Sequence, residues 1–446
     1  MSLFQLFCRF SQGRRLASTL TSVRRRWLVL AMIGCSHLAV AQEGLRNFVA
    51  GDQAAEARRL RPESLPYTFK AGDLRVLTTP SLGFDWNDNV NLVHDHPESD
   101  FIARPLLGIS LSYPITQYNL LQLNGGVGYQ YYFDHNELSR FYVQSGSELS
   151  FDIFVQDVRI NLHDRFSYSQ NSSTEAAVAG TGQYSDINNT PGLLASWDLH
   201  DLTLSAGYDH ENTFSPGNQF QSQAKASDLF LVRSGLRVHP ELTVGVEATA
   251  ALTAYDENIL NDNTSYSAGL YADWQPGPAL HVQPRGGYSF YNFQNTSQSS
   301  YGISTSGSIS TADTRSWYVG LTVTHQMTEV VSYSLSAGHE VRLGVQSDLI
   351  EDWYVRPSVE WKIIKNLGLQ TLLTYEHGDT GQGNIQGNLT EVYDQFGGGL
   401  TLSHAITERV SLGLSYRLTL RSSSAASRDY TQNLVSLVLT YGPQTK

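Results

Sequence analysis

From about residue 73 onward the chain falls into eighteen strand-length segments, and the gaps between them alternate between very short and long. The segments cover 73–88, 100–113, 119–133, 140–154, 157–170, 189–198, 201–214, 227–238, 242–255, 264–274, 279–293, 314–326, 330–343, 351–363, 366–378, 390–405, 409–421 and 429–441. In the next-to-last, Val410, Leu412, Leu414, Tyr416, Leu418 and Leu420 share one face, and Arg409, Ser411, Gly413, Ser415, Arg417, Thr419 and Arg421 share the other. A period of two sustained over that length is a strand, because successive side chains of extended backbone point to opposite faces. The short gaps include 114–118, 155–156, 199–200, 239–241, 275–278, 327–329, 364–365 and 406–408. The long ones are polar and rich in Ser, Asn and Gly: 89–99, 171–188, 215–226, 256–263, 294–313, 344–350, 379–389 and 422–428. Tight turns at one end and roomy loops at the other are the pattern of a barrel that crosses a membrane. Each segment meets or exceeds the ~9–11 residues that a tilted strand needs to span a bilayer. The expected fold is all-β, a single antiparallel up-and-down transmembrane barrel of about eighteen strands (roughly 16–20) with periplasmic turns and external loops.

Composition agrees. Aromatics reach 11%, with 24 tyrosines, while charged residues stand at 16%. The mean hydropathy of −0.26 is low because a barrel spreads its apolar face over alternate residues. No stretch after the leader approaches the length of an apolar spanning helix. The net charge of −12 disfavours nucleic acid as a partner.

Residues 1–41 read as a signal peptide. Arg14, Arg15, Arg24, Arg25 and Arg26 form a basic region, Trp27 to Ala41 an apolar one, and Ala39-Val40-Ala41 a small-x-small cleavage site. As a membrane anchor the apolar run is too short. As a lipoprotein signal before Cys35 it begins on an unsuitable Met32. Cys8 and Cys35 are the only cysteines, so a chain starting at Gln42 has no disulfide and no thiolate site. Residues 42–72 are expected to be a periplasmic tail or a small plug, 73–441 the barrel, and 442–446 a C-terminal tail, with both termini periplasmic.

The run SLGFDWNDNVN at Ser81 to Asn91, continuing through SDFIARPLLGISLSYPITQYNLLQLNGGVGYQYYFDH, resembles a family of outer-membrane β-barrel porins, some of which occur beside exopolysaccharide genes. The resemblance implies the barrel fold and the outer membrane of a diderm bacterium, and brings no catalytic residue. One departure is the ending: Tyr441 is followed by Gly442-Pro443-Gln444-Thr445-Lys446, whereas such barrels often end on an aromatic residue. Leu437, Leu439 and Tyr441 keep the alternation, so membrane insertion is expected to tolerate the tail.

Parity places Arg104, Arg159, Arg165, Arg233, Arg237, Arg285, Arg356 and Arg417 on the inward face, with Asp85, Glu148, Asp152, Asp209, Glu247 and Glu360. Facing arginines and carboxylates either set a transverse field that orients polar solutes or brace a wide barrel with ion pairs, and the two roles are compatible. Tyr129, Tyr131, Tyr132, Trp353, Tyr354 and Trp361 are expected at interfacial girdles or stacked in the lumen. Asp85, Asn87 and Asn89 open like a calcium loop but lack its glycine and distal glutamate, and His94 and His96 sit in a polar loop, so no metal is expected. Asp209 with His210, and His377 with Glu376 and Asp379, bring no nucleophile, so neither enzymatic activity nor a cofactor is expected. The expected partners are outer-membrane lipid and lipopolysaccharide, the barrel-insertion machinery, and a polar solute or polysaccharide. The sequence supports a passive or weakly selective channel for small polar solutes such as saccharides. The alternative is a non-conducting surface or assembly protein whose loops 171–188 and 294–313 bind polymer or other cells.

Overall fold

Every alternating segment is a strand in the computed structural model, which describes residues 66–116, 118–169, 175–216, 220–257, 259–294, 312–380 and 390–442. The strands are β1 (Phe69–Ala71), β2 (Leu74–Asn87), β3 (Asp100–Pro114), β4 (Leu120–Tyr132), β5 (Arg140–Val155), β6 (Val158–Ser169), β7 (Asp186–Leu199), β8 (Leu202–Phe214), β9 (Lys225–His239) and β10 (Leu242–Tyr255). They continue with β11 (Asn263–Gly277), β12 (Leu280–Phe293), β13 (Thr314–Gln326), β14 (Val331–Leu343), β15 (Leu349–Ile364), β16 (Leu367–Thr380), β17 (Glu391–Ala405), β18 (Val410–Ser423) and β19 (Tyr430–Tyr441). Each strand from β2 onward pairs antiparallel with the next, and β19 returns to β2 from Leu434–Asn87 to Thr440–Ser81. Eighteen strands thus close into an up-and-down barrel. Closure removes the free edges that would otherwise leave backbone N–H and C=O groups unpaired in hydrocarbon.

β1 stands outside that ring. It turns back at Gly72, whose φ of +60° suits glycine, and pairs with β2 from Phe69–Val76 to Ala71–Leu74. It covers the part of the β2 edge that β19 does not reach. The end of the expected tail or plug segment is therefore a small hairpin against the barrel. Residues 42–65 of that segment, the leader, loop residues 171–174, 295–311 and 381–389, and the tail 443–446 lie outside the described residues.

Facing follows parity. On β2, Leu82, Phe84 and Trp86 are exposed while Asp85 and Asn87 are buried. On β18, Leu414 is 49% exposed, whereas Thr419 and Arg421 are at 4% and 3%. Aromatic side chains ring the outside at both ends: Tyr113, Trp197, Trp274, Trp361 and Tyr441 toward the short turns, and Trp86, Phe101, Tyr131, Phe141, Trp317 and Trp353 toward the long loops. Tyr132 and Tyr354 instead turn inward and are buried. An exterior that exposes Leu, Val and Phe all the way round would be an aggregation surface in water, and hydrocarbon is the solvent that suits it.

Inside, large side chains lie across small ones. Tyr318 covers Gly269 and Gly287, and a Cβ on Gly287 would sit 2.2 Å from the Ala268 carbonyl oxygen and 2.8 Å from the Tyr318 ring. Tyr354 covers Gly338, and Tyr393 covers Gly378, in the same way. These inward tyrosines keep their rings flat against the wall, which leaves room in the lumen for charged side chains.

Candidate functional site

The inward face carries the charge pairs that alternation required. Arg104 Nη2 donates to Asp85 Oδ1 at 2.8 Å. Arg159 Nη2 and Nε donate to Asp152 Oδ1 at 2.8 and 3.1 Å, and Asn161 Nδ2 adds a third donor at 2.8 Å. Arg165 lies between Glu148 (3.6 Å) and Asp209 (3.4 Å), and His163 Nε2 stands 3.0 Å from the same buried Asp209. Arg233 stacks 3.6 Å over the Tyr271 ring and faces Glu247 at 3.9 Å, to which the Tyr318 hydroxyl donates at 3.2 Å. Arg356 pairs with Glu376 at 3.2 Å and stacks over Tyr354. Arg285 sits beside Glu247 and Tyr354, and Arg417 beside Arg104 and Asp85. Arg237 is exposed near the short turns, and Glu360 is half-buried on the inward face of β15 opposite Ser332 and Gln370. A guanidinium removed from bulk water needs a carboxylate, and Arg104, Arg159, Arg165, Arg233 and Arg356 each have one within 3.9 Å.

The expected residues do not include the part that narrows the lumen. The connection between β6 and β7, described from residue 175 to 185, folds inward. Ala176, Ala177 and Val178 are buried at 2%, 4% and 1%. Glu175 Oε1 accepts from Arg342 Nη2 of β14 at 3.1 Å. Arg421 of β18 donates to the Ala176 carbonyl at 2.8 Å, and Arg428 donates to the Ala177 carbonyl at 2.6 Å. The Gly180 amide donates to the Leu92 carbonyl, just beyond β2, at 2.9 Å. β14 is eight strands from β6 in a ring of eighteen, so the loop reaches the opposite wall.

Its anchors are themselves held. Arg342 is 1% exposed and lies 3.4 Å from Asp352, Glu376 and the Tyr393 hydroxyl. Arg421 and Arg428 both grip Glu391, at 2.7 and 2.9 Å. Val178 and Tyr184 pack with Phe220 and Val345 from the β8–β9 and β14–β15 connections. Burial pushes the Tyr184 hydroxyl well above its ordinary pKa, so it stays protonated. Asp348 joins the β14–β15 connection to Asn261 of the β10–β11 connection through two 2.8 Å hydrogen bonds. Inward residues beside the long loops are buried, as at Asp100 and Glu391; toward the short turns Thr203, Arg237 and Ser403 are open on β8, β9 and β17, whereas Ser112, Gln122, Asp152 and Asn161 are buried on β3–β6. The inward β6–β7 loop and the arginines that hold it form a charged constriction at the long-loop end.

The calcium-like run is structural. Asp85 belongs to Arg104, and Asn89 Nδ2 donates to the carbonyls of Val93 (2.7 Å) and Thr431 (2.9 Å). Among the described residues no three His, Cys, Asp or Glu side chains gather as a metal site. The sequence neighbours Asp209 and His210 face opposite sides of β8: Asp209 is buried inside, and His210 meets Asp228 outside at 2.9 Å. His377 likewise parts from Glu376 and meets Asp394 at 2.9 Å.

No family model matches the chain, and no curated protein matches it in sequence. Among solved structures it is similar to OccK5 (OpdH) of Pseudomonas aeruginosa, with 13% identity, a TM-score of 0.46, and 83% of this chain and 99% of that one covered. OpdQ of the same organism gives 10% identity and a TM-score of 0.47 over 83% and 100%. A BenF-like porin from Pseudomonas fluorescens Pf-5 gives 8% and 0.47 over 83% and 99%.

Proposed function

We propose that the chain is an outer-membrane channel for small polar solutes, saccharides among them, and that the inward β6–β7 loop sets its cut-off. The observation that carries this reading is the constriction itself: a loop tied by Glu175 to Arg342 on the opposite wall, in a lumen lined by Arg104, Arg165, Arg233, Arg285, Arg356 and Arg417 facing Asp85, Glu148, Asp209 and Glu247. Arg104, Arg159, Arg233 and Arg356 each pair with a carboxylate on a neighbouring strand, so the wall presents a field of local dipoles rather than a strong net charge. Such a field aligns neutral, hydroxyl-rich solutes without trapping either sign of ion.

Single-channel recording of the purified protein in planar bilayers tests the proposal. Discrete steps that are blocked in a graded way by a size series of oligosaccharides are the expected result. A silent, correctly folded barrel would support the alternative, a surface or assembly protein whose external loops bind polymer.

A further inference from the structure

The outer face carries one constellation twice. On β8 and β9, Tyr208 lies directly across from Phe230 and His210 across from Asp228. On β16 and β17, Tyr375 lies across from Phe396 and His377 across from Asp394. The contacts repeat as well. The tyrosine hydroxyl donates to Oδ1 of the aspartate at 2.7 Å in the first and 2.8 Å in the second, and histidine Nδ1 sits 2.9 Å from the same oxygen in both. The rings below are tilted against each other with centroids 5.2 and 4.7 Å apart. Each aspartate is the fourth residue of its strand from the long-loop end, so the two copies sit at one depth, eight strands apart around the ring. Both stay accessible: the side chains of His210 and Asp228 are 38% and 40% exposed, and those of His377 and Asp394 are 39% and 43% exposed.

We propose that each constellation binds the sugar headgroup of a glycolipid in the leaflet around the long-loop end, an inference that rests on the outer-membrane reading above. With histidine Nδ1–H donated to aspartate Oδ1, the partly exposed pair keeps Nε2 and Oδ2 as acceptors. Two neighbouring acceptors complement the hydroxyl and amide N–H donors of an amino sugar. A phosphate group fits less well, because the carboxylate repels it, and Asp379 and Glu351 add negative charge beside the second copy. The aromatic pair two residues deeper lies where the headgroup gives way to acyl chains. Two copies on nearly opposite sides fit a solvent that surrounds the barrel better than a single docked protein.

Native mass spectrometry of the full-length protein in detergent tests this with three probes: lipid A, dephosphorylated lipid A and phosphatidylglycerol. Both forms of lipid A are expected to be retained and phosphatidylglycerol is not. The double variants H210L/H377L and D228A/D394A are expected to lower lipid A retention about tenfold, equivalent to ~1.4 kcal/mol. Unchanged retention in both double variants, equal retention of phosphatidylglycerol, or loss of binding on dephosphorylation would each overturn the proposal. The dephosphorylation comparison uses only the wild type, so it decides the matter even if a variant fails to fold. Conductance in bilayers free of lipid A reports on the channel reading separately, so failure of one reading does not stand in for failure of the other.

Discussion

Replacing Leu414 by arginine should cost far more than replacing its neighbour Ser415. Leu414 points outward, 49% exposed, four residues into β18 from Val410, which pairs with the girdle residue Tyr441. Four residues at ~3.3 Å each along a strand tilted by ~40° put it about 10 Å above the lower interface, near the middle of an apolar band ~25 Å tall. An arginine at that depth costs about 2–4 kcal/mol, where outward charge is least tolerated. Ser415 faces inward opposite Thr401 and Ser436, among polar neighbours. An arginine there can extend along the wet lumen, and the change should stay within about 1 kcal/mol. Urea titration of reversible refolding into lipid vesicles measures both. If the two substitutions cost the same, or Ser415→Arg costs more, the facing of the whole barrel has been misjudged and every residue named above as inward loses its place.

Arg342→Gln should leave Glu175, Asp352 and Glu376 without their shared cation, at about 3–5 kcal/mol in urea titration, and free the β6–β7 loop; the expected sign is a larger, noisier single-channel conductance, and an unaltered trace would contradict the latch. Gly287→Val should cost about 1–3 kcal/mol through overpacking against Ala268 and Tyr318, whereas Gly413→Val, whose Cβ meets only the Val438 carbonyl oxygen at 3.9 Å, should be mild in the same titration. His135, in the β4–β5 connection, feels burial that lowers its pKa, outweighed by Asp100 and Glu98 at 3.0 Å each, so its pKa is raised. A raised folded-state pKa stabilises most below the unfolded value of about 6.5 and fades as pH climbs through the folded value. The stability gap between wild type and His135→Gln should therefore be widest near about pH 6 and shrink toward about pH 9; a gap that widens instead would show the opposite shift.

Strands and their facing were legible because one periodicity reports both, and a barrel imposes it on every segment. β18 is a clear case: Leu414, Tyr416 and Leu420, assigned outward from parity, are exposed, and Thr419 and Arg421, assigned inward, are buried. Parity also parts Asp209 from His210, although their adjacency invites reading them as a pair. What it could not give is the partner across a strand boundary, since register depends on turn geometry; Asp228 and Asp394 emerged as the histidine partners only in three dimensions. The inward loop was hidden for a different reason. Loops carry no period, and the one local sign was an apolar run, Ala176-Ala177-Val178, inside an otherwise polar connection. Arg342, Arg428, Asp352 and Glu391 gained their importance from that loop, so nothing in their own strands or connection marked them. The hairpin of β1 was equally silent, being three residues long.

β19 meets β2 over a ladder from Leu434–Asn87 to Thr440–Ser81, while β18 meets β19 from Val410–Tyr441 to Arg421–Tyr430. The β19–β2 ladder is the shortest around the ring, with the β13–β14 ladder next, so lateral opening under load should begin at the seam. The same place is where the first and last transmembrane strands must find each other, which makes its stitching the final event of assembly. β1, folded over the remaining rim of β2, then acts as a hem: it denies that stretch of unsatisfied backbone to any passing strand.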